Sequence, residues 1–330
     1  MTSEWRRVME SVFTMSAGGP GGGQDPFFVL AVILIGAELA RYGARRLGQP
    51  GIVGYLLLGI ILGPAGLRVV GPAPWLEPLA AIGMLMLLFI AGLSLGDRTA
   101  DLARPAVLIT SLAGVLVTVL AALFLASAWG WSVSEGVVLG ALLAATSISV
   151  PSAVLREFGM GSTRPAATVV GAAILDDFLV LMLLGLVAAS SFADQTYQAS
   201  LFLLRDTFLS IAAVVVLTRV ALRLDALQRL LGKTSTALGY CFALAYAAQA
   251  GFGLAAAMGS LVAGLALAGH PRRKRLEDHL ELSGYAIFIP VFFVDMGLTV
   301  ESVSVLLTPF ILILVAAATV PKLAACYAGA

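Results

Sequence analysis

Two aspartates stand side by side, Asp176 and Asp177, inside a long apolar run. A lysine, Lys322, stands inside another. An ionised side chain at the centre of a membrane-spanning helix costs about 2.5–3.5 kcal/mol on insertion scales. Adjacent carboxylates also oppose each other's ionisation, so one of them is suited to trade a proton for a cation. A structural reading pairs one aspartate with Lys322 to lock two helices together. It leaves the other aspartate unexplained, because neighbours on a helix point about 100° apart. One can face a helix partner while the other faces a watered cavity. The run between Ala144 and Pro151 holds Thr146, Ser147 and Ser149, poor helix continuers closed by a proline. Hydroxyls and freed carbonyls at membrane depth are tolerated where they face a cavity or other protein, and such hard oxygens suit small monovalent cations. A plain proline kink, with its hydroxyls bonded to the preceding turn, is the competing reading.

The elements that must carry these groups follow from composition. The chain has 330 residues, 60% hydrophobic and 12% charged, with a mean hydropathy of +0.99. A soluble domain carries about 25% charged residues. A polytopic all-α membrane protein is therefore expected, and the net charge of +1 gives no reason to expect nucleic acid. Runs such as 82–91 and 311–318 do not alternate as barrel strands would. Cys241 and Cys326 lie in apolar runs and read as buried thiols; no His/Cys cluster has metal spacing, and no cofactor is implied.

Residues 1–26 read as a flexible leader and 27–330 as the transmembrane domain. Its expected spans are 27–44, 51–68, 76–96, 105–128, 133–156, 165–192, 200–222, 236–250, 253–269, 283–300 and 304–329. The odd-numbered connections carry Arg41, Arg45, Arg46, Arg98, Arg104, Arg156, Arg164, Arg219, Arg223, Arg229, Lys233, Arg272, Arg273, Lys274 and Arg275. The even-numbered ones carry Arg68 and Arg205. The excess puts the odd connections in the cytoplasm and the N-terminus outside. Within this frame Asp176 lies about eleven residues, or about 16 Å, into the sixth span. Asp295 is a further acid in an apolar run, either a satisfied helix-end group or an accessory ion group; Glu38 and Glu77 lie near span ends and read as interfacial.

Five strings in order resemble the cation:proton antiporters, most closely the bacterial NapA-like Na⁺/H⁺ antiporter branch. LGQPGIVGY (47–55) with LGIILGP (58–64) looks like the family's second-helix signature, and ATSISV (145–150) like its broken helix. Asp176 and Asp177 look like the paired aspartates of electrogenic members. GSLVAGLAL (259–267) and FFVDMGL (292–298) resemble later helices, and Lys322 falls at the family's membrane lysine.

The resemblance implies an inverted-repeat antiporter fold of the NhaA/NapA type, with broken helices and a core domain (about 105–192 and 304–330) moving against a dimerisation domain. It implies a multi-pass inner-membrane homodimer, not an enzyme, exchanging Na⁺ or Li⁺ for protons by alternating access. Asp177 would bind the cation and protons in turn. Asp176 would pair with Lys322, which would itself release a proton when sodium binds. Thr146 and Ser147 would line the ion site. The branch has thirteen spans, so the eleven seen here suggest a fragment or a truncated product. A K⁺/H⁺ antiporter or K⁺ efflux protein of the same superfamily is the nearest alternative, and a truncated, non-transporting paralogue is another. An intramembrane aspartyl protease is a remote one, since it needs aspartates on separate helices.

Overall fold

The computed structural model describes residues 25–71, 73–95, 104–191, 229–252, 256–302 and 308–329, and every regular element among them is helical. In chain order these are α1 (Pro26–Arg46), α2 (Gly51–Leu62), α3 (Leu76–Leu95), α4 (Pro105–Ala128), α5 (Val133–Ala144) and α6 (Ser149–Glu157). There follow α7 (Arg164–Ser191), α8 (Thr234–Phe252), α9 (Ala256–Leu267), α10 (Arg273–Ser283), a π turn (Gly284–Phe288), α11 (Ile289–Leu298) and α12 (Pro309–Gly329). Residues 1–24 of the expected leader and the expected span at 200–222 lie outside the described residues. Five of the described helical stretches are long and apolar enough to cross a bilayer.

The chain divides into two compact units. The first comprises the residues up to Leu87 together with Asp278–Leu306. Here α1 starts on Asp25, whose carboxylate accepts from the N–H groups of Phe27 (2.8 Å) and Phe28 (3.2 Å). Helix α2 was expected to reach residue 68 but ends at Leu62. Gly63 is extended (φ −79°, ψ −171°), because Pro64 bars the helical conformation from the residue before it. Helices α2 and α11 cross on two glycines. A Cβ on Gly59 would lie 2.8 Å from the Cα of Gly297, and one on Gly297 would lie 2.8 Å from the Cα of Gly59. Close backbone approach of this kind is how membrane helices gain packing energy where lipid offers no hydrophobic contrast.

The expected span at 283–300 starts ten residues too late. Helix α10 begins at Arg273 and runs through the π turn into α11. Arg273, Lys274 and Arg275 therefore sit in a first helical turn and not in a loop. Their polarity hid the helix from a hydropathy reading, yet Leu276 and Leu280 are buried at helical spacing. The π turn has a local cause: Pro290 offers no N–H to the carbonyl of Ala286, and the N–H of Ile289 donates instead to Gly284.

The second unit comprises Leu88–Glu277 and Leu307–Ala330. Helix α4 packs against α5, α7 and α12, while α8 packs against α9. Val115 and Val119 of α4, Ala141 and Ala144 of α5 and Val180 of α7 form a shared apolar cluster. A second glycine crossing joins α3 to α9: a Cβ on Gly264 would lie 2.9 Å from the Cα of Gly92. The expected span at 133–156 is two helices, with residues 145–148 non-helical between them.

Candidate functional site

The break is set by residues ahead of the proline. Ala145 turns away from the helix at φ −56°, ψ 122°. Pro151 is the third residue of α6, where a missing N–H is harmless because first-turn N–H groups have no intrahelical partner. The cost falls on the carbonyls at the end of α5. In a continuous helix the carbonyl of Ala144 would accept from Ile148. Here it accepts from the ammonium of Lys322 at 2.5 Å, with the hydroxyl oxygen of Thr146 3.1 Å away.

Asp176 is the centre of this group. It is 3% exposed, on the inward face of α7. Its Oδ2 accepts from Thr146 Oγ1 at 2.7 Å and lies 3.0 Å from Lys322 Nζ. Its Oδ1 accepts from Ser111 Oγ of α4 at 2.6 Å. The Lys322 ammonium also bonds to Thr146 Oγ1, so three donors meet three oxygens: Ala144 O, Thr146 Oγ1 and Asp176 Oδ2. The lysine stem runs along Gly114 of α4, where an added Cβ would touch its Cγ and Cε at 3.5 Å. Four helices and the break thus converge on one ion pair.

Asp177 is half-buried on the same helix. Among the described residues no group donates a hydrogen bond to it, though it lies in the fields of both Asp176 and Lys322. The ion pair is neutral as a unit, so the formal charge left at the site is that of Asp177. The two aspartates divide as their 100° offset requires, one locked and one open.

Of the residues expected at the site, Asp176, Thr146 and Lys322 are brought into direct contact, with Asp177 beside them. Ser147 is not in that group: it is exposed, and its hydroxyl lies 2.9 Å from that of Ser149. Asp295 belongs to α11 of the first unit, where it senses the carboxylate of Glu77. Two features escaped the sequence reading. Ser111 is one; its signal was the Ser111, Gly114, Thr118 spacing, a small and polar stripe on an apolar helix. The other is Arg156, counted above among the loop cations. It lies in the last turn of α6, and both its Nη atoms reach Glu277 Oε1 at 3.2 Å. Their side chains are 7% and 10% exposed, which makes this a buried pair and not a free surface charge. Among the described residues no group of three or more His, Cys, Asp or Glu side chains could hold a metal ion.

A family model described as "Sodium/hydrogen exchanger, transmembrane" matches residues 29–330. The chain is 32% identical over 311 residues to the Na(+)/H(+)-K(+) antiporter GerN of Bacillus cereus, covering 92% of this chain and 79% of that one. It is 31% identical over 318 residues to a Na(+)/H(+) antiporter of Enterococcus hirae, covering 92% and 80%. In three dimensions it resembles the sodium proton antiporter MjNhaP1 of Methanocaldococcus jannaschii at pH 8, with a TM-score of 0.65 and 18% identity, over 96% of this chain and 79% of that one. At that identity the likeness is one of fold.

Proposed function

The chain belongs to the sodium/hydrogen exchanger family, a family of multi-pass membrane transporters, and from that premise we propose that it exchanges Na⁺ for protons across the membrane. The observation that carries this reading is the division of labour at the acid pair. Asp176 is held by Ser111, Thr146 and Lys322, while Asp177 has no hydrogen-bond donor among the described residues. Asp177 is the carrier. Its carboxylate holds a sodium ion or a proton, and loading one releases the other to the side then open. Alternating access moves each load across. The hydroxyl of Thr146 and the carbonyl of Ala144, which here serve Lys322, become hard oxygen ligands for the ion when the lysine lets them go. A second proton, carried on Lys322 and released when sodium enters, makes the exchange electrogenic. The loop charges favour an N-terminus outside, and the resemblance to the antiporter branch favours a homodimer in the inner membrane.

The test uses everted vesicles with an internal pH dye. Wild-type protein moves protons when Na⁺ is added, and Asp177→Asn abolishes the signal while still reaching the membrane. Retained exchange in Asp177→Asn would remove Asp177 from the carrier role. One relative is named a Na(+)/H(+)-K(+) antiporter, so the same assay is run with K⁺. A response to K⁺ alone moves the substrate to the potassium side of the superfamily.

A further inference from the structure

Asp176 is served from two directions. Thr146 and Lys322 engage Oδ2, from the helix break and from α12. On the other side Ser111 of α4 engages Oδ1. Ser111 is 1% exposed and its hydroxyl reaches across to α7. Seven residues on, Thr118 behaves differently: its hydroxyl bonds back to the carbonyl of Gly114 in its own helix, at 2.7 Å. A hydroxyl in an apolar helix normally takes that local option. At Ser111 the carboxylate has displaced it. The terminal torsion of an aspartate is broad and two-fold, so without a donor on Oδ1 the carboxylate plane is free to swing.

We propose that Ser111 is a positioning residue for cation exchange. Its hydroxyl holds Asp176 with Oδ2 turned to Lys322 and Thr146, which leaves Asp177 as the carboxylate open to the travelling ion. The role in exchange rests on the antiport reading above. The hydrogen bond itself does not.

Two measurements on the full chain test it. In proteoliposomes with an internal pH dye, Ser111→Ala raises the apparent KM for Na⁺ about tenfold, equivalent to about 1.4 kcal/mol. The maximal rate changes less than about twofold, and Ser111→Thr, which restores the hydroxyl, returns KM to near wild type. In an Asp176→Asn background Ser111→Ala leaves KM nearly unchanged. An unchanged KM in Ser111→Ala overturns the proposal, as does an equal effect in both backgrounds. The second measurement needs no transport. Infrared spectra of the purified protein show one carboxylate band moved by Ser111→Ala, and no such movement once Asp176 is Asn. If the band moves but wild-type protein shows no Na⁺-driven proton signal, the antiport reading fails and the positioning of Asp176 by Ser111 stands. If the band does not move, the positioning fails whatever the transport. Should Asp176→Asn itself abolish transport, the infrared comparison decides.

Discussion

A buried carboxylate at membrane depth is tolerable because both of its oxygens accept from protein donors. Asp176 has Ser111 on one oxygen and Thr146 and Lys322 on the other, and Lys322 spends its three protons on three oxygens. Removing one partner of such a pair strands the other, at a cost of about 3–5 kcal/mol, whereas removing both together is often close to neutral. Lys322→Met should therefore lower the thermal unfolding temperature in detergent sharply. Adding Asp176→Asn to it should recover most of the loss. A double variant no more stable than Lys322→Met would mean that the pair is not the source of the cost. Asp177→Asn removes no hydrogen bond among the described residues. It should leave unfolding nearly where it was while stopping exchange, so stability and transport separate at two neighbouring residues.

At the scale of elements, interruption and close approach do the shaping. Helix α5 opens on a capping box, with Ser132 and Glu135 each bonding the other's backbone N–H. Ser132→Ala should cost about 1 kcal/mol, read as a fall in unfolding temperature with the KM for Na⁺ intact. The helix then stops four residues short of α6, and that gap leaves the Ala144 carbonyl to accept from the Lys322 ammonium. Glycines matter where backbones cross. Gly264→Val pushes side-chain atoms into the backbone of α3 at Gly92, and Gly297→Val does the same to α2 at Gly59. Both should fail to give a monodisperse protein by size exclusion. Gly43 of α1 is the control: nothing lies within 4 Å of its would-be Cβ. Gly43→Ala should be neutral or stabilising by up to about 1 kcal/mol, the difference in helix propensity. Loss of protein in Gly43→Ala would show that these glycines are selected for something other than crossing.

At the scale of the whole molecule, charge placement sets which side faces the cytoplasm. Arg156 leaves that tally in practice, because Glu277 neutralises it within the second unit. On the expected span order the remaining cations still fall mostly in the odd-numbered connections. In a background lacking Cys241 and Cys326, Lys274→Cys should react with a membrane-impermeant thiol reagent in everted vesicles and not in intact cells. The opposite pattern would invert the topology. The Arg156–Glu277 pair makes its own prediction. Glu277→Ala leaves a guanidinium without its carboxylate in a buried place, and should destabilise by about 3–5 kcal/mol, measured by thermal unfolding. The paired change Arg156→Met, Glu277→Met should be milder.

The sequence by itself determined the solvent, the helical class, most of the spans and the identity of the charges that do not belong in lipid. Those are one-dimensional properties: burying a charge or an unsatisfied backbone group in hydrocarbon costs so much that composition and run length betray it. Even the break was legible, since Thr146, Ser147, Ser149 and Pro151 announce it, although Ala145 and not the proline makes the turn. Helix α10 was not legible, because its apolar face is two leucines wide and its charges outweigh them. Residue types and spacing alone did not tell which aspartate Lys322 would take, which only the family resemblance indicated; nor did they tell that Ser111 would hold the far oxygen or that Arg156 would find Glu277. The Ser111 and Arg156 pairs lie 65 and 121 residues apart, and Lys322 reaches back farther still to Asp176. Their meeting depends on how α4, α7, α12 and the broken pair pack, and packing is decided by shape at glycine and small-residue contacts that leave no periodic trace in the sequence. Only the tertiary structure supplied the contacts that lock Asp176 and leave Asp177 open, because they come from helices that meet nowhere in the linear chain.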